Sequence, residues 1–123
     1  MDWIVEFYRD SKGKEPVAEF LDSLPLNTRA KMVRLIDLLS KKGVLLKEPY
    51  TKKVKGKIRE LRVKDKEGAV RILYFSFTGK KFILLHGLIK KTNKTPKGDI
   101  EIAEKRMSDF LQRYGGQIWE EGL

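Results

Sequence analysis

The sequence predicts an α+β domain in which a helical hairpin and a C-terminal helix pack on an antiparallel sheet, in the order β-α-α-β-β-β-α. Three observations carry that prediction. Residues 58–89 form three apolar segments separated by short polar turns, the pattern of a meander. Residues 16–42 place apolar side chains at helical spacing on either side of Leu24-Pro25. A last amphipathic segment follows Thr95-Pro96.

The elements follow in order. Trp3, Val5 and Phe7 alternate with polar neighbours, which predicts a half-buried strand closed by Ser11-Lys12-Gly13. Pro16 suits a first helical turn, and Val17, Phe20, Leu21 and Leu24 share one helical face. Leu26, Ala30, Val33, Ile36 and Leu39 give the next helix an apolar stripe, widened by Leu35 and Leu38. Lys41 and Lys42 favour its C-terminal dipole, and Gly43 ends it. Residues 47–57 read as a lysine-rich loop. Ile58–Val63 is a strand, Asp65–Gly68 a turn, Ala69–Phe77 a central strand, Thr78–Lys81 a second turn and Phe82–Ile89 a third strand of the meander. Thr95 caps the final helix, Ile100, Ala103, Met107, Phe110, Leu111 and Tyr114 line it, and Gly115-Gly116 ends it. The expected organisation is a single domain over residues 1–116 with a mobile tail at 117–123.

Charge is distributed unevenly. The chain of 123 residues carries a net charge of +10. Residues 47–97 hold 16 Lys and Arg against 4 Asp and Glu, a balance of +12, more than the whole chain. That segment is also the most apolar, so its cations sit on folded sheet. A dense cationic surface on a folded domain is the footprint of a nucleic-acid binder. Cysteine is absent, which excludes disulfides and thiolate metal sites, and a single histidine gives no zinc set. No leader pattern or membrane-length apolar run is present, so a cytoplasmic protein without membrane association is expected.

Within this frame Arg71 stands out, because a guanidinium in a central strand must be paired or face an open site. It serves either as the partner of an acid such as Glu60 or as a phosphate clamp. Arg59 and Arg62 lie on the preceding strand and alternate in facing. Lys90, Lys91, Lys94 and Lys97 cluster where the last strand gives way to a loop, a common place for working residues. Lys52, Lys53, Lys55 and Lys57 form a second cluster suited to tracking a phosphate backbone. His86 lies between apolar residues, as a core histidine or a proton-transfer group.

The runs Ile58-Arg59-Glu60-Leu61-Arg62-Val63, Val70-Arg71-Ile72-Leu73-Tyr74-Phe75 and Ile83–Thr92, with Thr95-Pro96 before a helix bearing Ala103 and Arg106, resemble the RelE/ParE toxin superfamily. Within it they are most similar to the HigB-type, phage-derived branch, over roughly residues 1–114. The resemblance implies the toxin of a type II toxin–antitoxin system: a metal-independent mRNA interferase that acts in the ribosomal A site without cofactors. Its partners would be the ribosome, mRNA and a cognate antitoxin, commonly a helix-turn-helix protein. By the resemblance, Arg71 would stabilise the phosphorane, and Lys90 and Lys91 match the basic pair after the final strand. Lys57, Arg59 and Arg62 match the family's further basic positions loosely. The turn where the family places a C-terminal Tyr or His reads Gly98-Asp99-Ile100. Glu60 and His86 are then the candidates for proton transfer. ParE-like relatives share the fold and inhibit DNA gyrase, and a descendant that binds RNA without cleaving it is a third reading.

Overall fold

A computed structural model describes residues 2–66, 68–78 and 80–122, with side chains described through Gly115 except at the two gaps. Three α-helices and a five-stranded sheet make up the α+β fold. The elements are β1 (Ile4–Phe7), α1 (Pro16–Ser23), α2 (Leu26–Lys42), a 3-10 turn (Gly43–Leu45), β2 (Thr51–Lys55), β3 (Ile58–Asp65), β4 (Gly68–Phe77), β5 (Lys81–Lys90) and α3 (Lys97–Gly122). The strands lie in the order β1-β5-β4-β3-β2.

The meander β3-β4-β5 is antiparallel, as its short turns require. Those turns contain Glu67 and Gly79, which lie outside the described residues. The sheet as a whole is mixed, because β1 pairs parallel with β5. A parallel neighbour needs a long crossover, and α1 through β4 intervene between these two strands.

One further strand departs from the expected order. The lysine segment read as a loop is in part β2, antiparallel to β3 through a turn at Gly56-Lys57. Gly56 has φ +55°, which the two-residue connection exploits at no steric cost. Lysine has low strand propensity, which hides the strand, yet lysines are what an exposed sheet edge carries to resist pairing with other chains.

The two faces of the sheet are covered by different helices. On one face α1 and α2 bury Val17, Leu21, Met32, Leu35 and Leu39 against Leu61, Ile72, Tyr74 and Leu84. On the other, Ala103 and Phe110 of α3 pack on Leu73, Phe75, Ile83, Leu85 and Leu88. The buried stripe of α2 is Thr28, Met32, Leu35 and Leu39, while Leu26 and Val33 are 76% and 50% exposed. The expected stripe was therefore rotated toward solvent, because several leucines on neighbouring faces blur the 3.6-residue period. The final helix also runs through Gly115-Gly116 to Gly122 rather than stopping there. The expectation of mobility falls on residues 117–123, whose side chains lie outside the described set.

A bulge places the site. Leu73 pairs with His86 and Tyr74 with Leu84, so Leu85 is the extra residue of β5. Leu85 and His86 both then reach the α3 face, where Leu85 joins the core and His86 meets α3.

Candidate nucleic-acid interface

Pairing across β3 and β4 sets Arg62 opposite Arg71 and Glu60 opposite Leu73, all on the α3 face. α3 packs mainly against β5 and β4, and it reaches β3 and β2 at Ile58 and Val54, which join the same cluster, and at the Lys55–Glu104 ion pair. Lys52, paired with Glu60, is exposed on that face.

Arg71 is completely buried, and Glu60 is 2% exposed. The Arg71 guanidinium donates to the Thr92 carbonyl and, at 3.3 Å, to Thr95 Oγ1. Thr95 Oγ1 in turn donates to Glu60. Arg71 Nε lies 3.9 Å from Glu60 Oε2 and makes no hydrogen bond. Burial, reinforced by the Arg62 charge, pushes the Arg71 pKa down, while Glu60 and Asp99 hold it up. Arg62 Nε donates to Glu60 Oε2 at 2.9 Å and Nη2 to the Asn93 carbonyl at 2.8 Å. Two arginines on adjacent strands thus share one carboxylate, and both tie the β5–α3 loop to the sheet.

This arrangement pairs Arg71 with Glu60 and leaves its guanidinium no open face. A phosphate reaches it only if residues 92–95 lift. Thr95, expected as a helix cap, instead spends its hydroxyl on Glu60, and the first turn of α3 directs the Asp99 and Ile100 amides at the Pro96 carbonyl.

Arg62 is the accessible member, with 28% of its side chain exposed. A cavity of about 360 Å³ opens beside it, lined by Lys52, Lys53, Glu60, Arg62, Lys94 and Thr95 among others. Four cations therefore line a cavity with one carboxylate, Glu60, which is already bonded to Arg62. The expected residues Glu60, Arg62, Arg71, Lys52, Lys53 and Lys94 are brought together here.

The others are placed elsewhere. Arg59 pairs with Tyr74 and faces the α1–α2 side, in a separate cavity with Glu48 and Phe82. Lys55 forms an ion pair with Glu104 at 3.2 Å. Lys57 is exposed in the β2–β3 turn, Lys90 and Lys91 are exposed at the end of β5, and Lys97 is exposed at the start of α3. His86 belongs to an adjoining group. Its Nε2 lies 2.7 Å from Asp99 Oδ1 and its Nδ1 3.4 Å from Arg106 Nη1, which also donates to the Leu85 carbonyl. If Arg106 donates to Nδ1, the histidine proton sits on Nε2 and faces Asp99. Both ring nitrogens are then engaged within the protein.

Sequence reasoning did not single out Thr95, Asn93 or Asp99 as partners, nor a further group formed by Tyr8, Asp109 and Arg113. Tyr8 Oη donates to Asp109 Oδ2 at 2.6 Å, and Arg113 Nη2 lies at the same distance from that oxygen. Burial, with the hydrogen bond to Asp109, raises the Tyr8 pKa. The Tyr8 and Arg113 hydrogen bonds hold the Asp109 carboxyl below its usual range despite opposing desolvation. The Asp109–Arg113 spacing of four residues was legible as a helical pair; its junction with Tyr8 required the fold.

Among the described residues no group of three or more His, Asp or Glu side chains is placed to hold a metal ion. Among them, too, no helix is long and apolar enough to cross a membrane.

A three-helix α+β domain with a cationic half-face beside its C-terminal helix is consistent with a RelE-like fold. Residues 19–108 match the family described as Phage derived protein Gp49-like (DUF891), and the chain belongs to that family. It is a family of type II toxin–antitoxin toxins related to RelE. No curated protein matches the chain.

Proposed function

We propose that the protein is a HigB-type toxin that cleaves mRNA on the ribosome without a metal ion. The observation that carries this reading is the shared Glu60 carboxylate at the wall of a cavity lined by Lys52, Lys53, Arg62 and Lys94. Phosphate oxygens of a single strand are drawn to these cations, and Arg62 meets them with its exposed edge. Glu60 takes the proton of a 2′-hydroxyl, using lone pairs left free by Thr95 and Arg62. The 2′-oxygen bonds to the adjacent phosphorus, the P–O5′ bond breaks, the 5′-oxygen takes a proton from water, and protonated Glu60 returns its proton to the hydroxide left behind. The products are a 2′,3′-cyclic phosphate and a 5′-hydroxyl. Arg62 and the lysines stabilise the added negative charge of the transition state. Arg71 joins them when residues 92–95 lift, and Lys90 and Lys91 contribute long-range field. An antitoxin neutralises the protein by covering this face.

Expression under tight control, with mRNA 5′ ends mapped against ribosome positions, tests the reading. Cleavage within ribosome-occupied codons is expected, with loss of cleavage in Arg62→Gln and none in Lys12→Ala. Growth arrest with intact mRNA would reject it, and DNA breaks with intact mRNA would favour gyrase inhibition. A second reading, ribosome or RNA binding without cleavage, is favoured by the burial of Arg71 beneath the Thr92 carbonyl. It predicts ribosome occupancy with no new 5′ ends.

A further inference from the structure

Three cavities meet at Arg62. The first is the cleft of about 360 Å³ beside Glu60 and Lys94. The second, about 480 Å³, adds Glu48, Tyr50 and Lys64 and shares Lys52 with the first. The third, about 320 Å³, lies against α2 with Lys31, Arg34 and Leu38, and shares Tyr50 with the second. Each adjoins the next at shared residues, in a series from the β5–α3 loop to α2.

The strand pairing explains why the groove can change faces. β2 stops pairing with β3 at Thr51 opposite Leu61. Beyond that point β3 is itself the edge of the sheet, where the Arg62 amide donates to the Tyr50 carbonyl at 3.2 Å. The groove passes round this short edge from the α3 face to the α2 face.

Its lining is chemically consistent along the whole path. Lys94, Lys52, Arg62, Lys64, Arg34 and Lys31 line the three cavities, against Glu48 and a Glu60 already bonded to Arg62. At the bend stands Tyr50, 51% exposed, with its backbone fixed by Arg62 and by its own amide donating to Lys47 O at 3.1 Å. A half-exposed aromatic on a pinned backbone between cations is a stacking platform for an unpaired base. A duplex is too stiff to bend round a sheet edge of this size, while a single strand is not.

We propose that the groove carries single-stranded RNA beyond the cleavage site, with one unpaired base stacked on Tyr50 and phosphates held as far as Lys31 and Arg34. The proposal rests on the reading of the cleft as an RNA site and extends it to residues outside that cleft.

Fluorescence anisotropy of the full chain with a labelled single-stranded RNA dodecamer tests it. Tyr50→Ala is expected to weaken binding roughly 5- to 160-fold, the range for loss of one base–aromatic stack, and Tyr50→Phe to restore it. Scanning an abasic residue through the RNA should find one position that weakens binding to the parent and leaves Tyr50→Ala unaffected. Replacing Lys31 and Arg34 together with alanine should flatten the slope of log affinity against log salt by about 1.4, two contacts at ~0.7 each. These residues are on the surface, and circular dichroism verifies that the variants fold. If the parent binds RNA and both variants match it in affinity and slope, the groove proposal falls and the cleft reading stands. If the parent binds no RNA, the groove proposal falls, and the cleft reading is decided by the 5′ ends mapped on ribosomes. Displacement of the RNA by polyglutamate at equal charge would overturn the proposal in favour of an acidic peptide.

Discussion

Removing Glu60 should cost more stability than removing Arg71, although the two side chains form one buried pair. Arg71 is fully buried, and the one carboxylate within 4 Å of its guanidinium among the described residues is Glu60, at 3.9 Å. Glu60→Ala leaves a buried cation with its like-charged neighbour Arg62, and also frees Thr95 from its acceptor. Breaking a buried pair in this way costs about 3–5 kcal/mol. Arg71→Met leaves Glu60 with Arg62 at 2.9 Å and with the Thr95 hydroxyl. Methionine refills much of the volume, so the loss is limited to hydrogen bonds to the β5–α3 loop, about 1–2 kcal/mol. Equilibrium urea unfolding followed by circular dichroism measures both. With a slope near ~1.5 kcal/mol per molar, the midpoint should fall by about 2–3 M in Glu60→Ala and about 1 M in Arg71→Met. Equal losses would refute the reasoning, because they would mean that Arg62 does not support Glu60. A larger loss for Arg71→Met would place the structural weight on the loop rather than on the pair.

Three further outcomes are expected. Met32→Ala, at a position with no exposure, should cost about 2–5 kcal/mol in the same assay, whereas Leu26→Ala, 76% exposed, should fall within ~0.5 kcal/mol of the parent; the reverse order would restore the α2 face expected from periodicity. Gly87→Ala should lower stability by about 1–3 kcal/mol through overpacking, since its Cβ would lie 2.2 Å from Phe20 Cδ2 where α1 crosses β5; a neutral result would mean that α1 sits farther from the sheet. Asp109 should titrate below an ordinary aspartate in carboxyl NMR, because Tyr8 and Arg113 bind its charged form. Its contribution is therefore complete above the unfolded-state pKa and is lost as pH falls through the lower folded one. Tyr8→Phe should move the midpoint upward, and an unchanged midpoint would remove the phenol as its cause.

How far the sequence could be read depended on whether partners were near in sequence. The meander was legible because its strands are contiguous and their turns short. The parallel placement of β1 was not, since it depends on where a four-residue strand docks after most of the chain has folded. β2 was hidden by its lysines, although Gly56-Lys57 offered a two-residue turn signal. Arg71 and Glu60 were legible as a costly charge and its nearest acid. The contacts that close over them come from Thr92, Asn93 and Thr95, backbone and hydroxyl groups that carry no charge signal. Parity put Arg59 and Arg62 on different faces but could not say which shares the side of Arg71, and the register gives that place to Arg62.

The placement of the site follows from what covers the sheet. The α3 face buries Leu73, Phe75, Ile83, Leu85 and Leu88 of β4 and β5, together with Ile58 at the start of β3. α3 therefore centres on β4 and β5, and the lysines of β2 offer it little apolar surface beyond Val54. Charges accumulate in the part that remains. Arg71 sits on β4 where the β5–α3 loop crosses to begin the helix. The loop satisfies the guanidinium with Thr92 and Thr95, and Arg62, one strand farther out, keeps an exposed edge. The accessible cation at the cleft is thus Arg62 because the buried one is held by the connection to α3. Any ligand that engages Arg71 must compete with the Thr92 carbonyl and the Thr95 hydroxyl for its guanidinium.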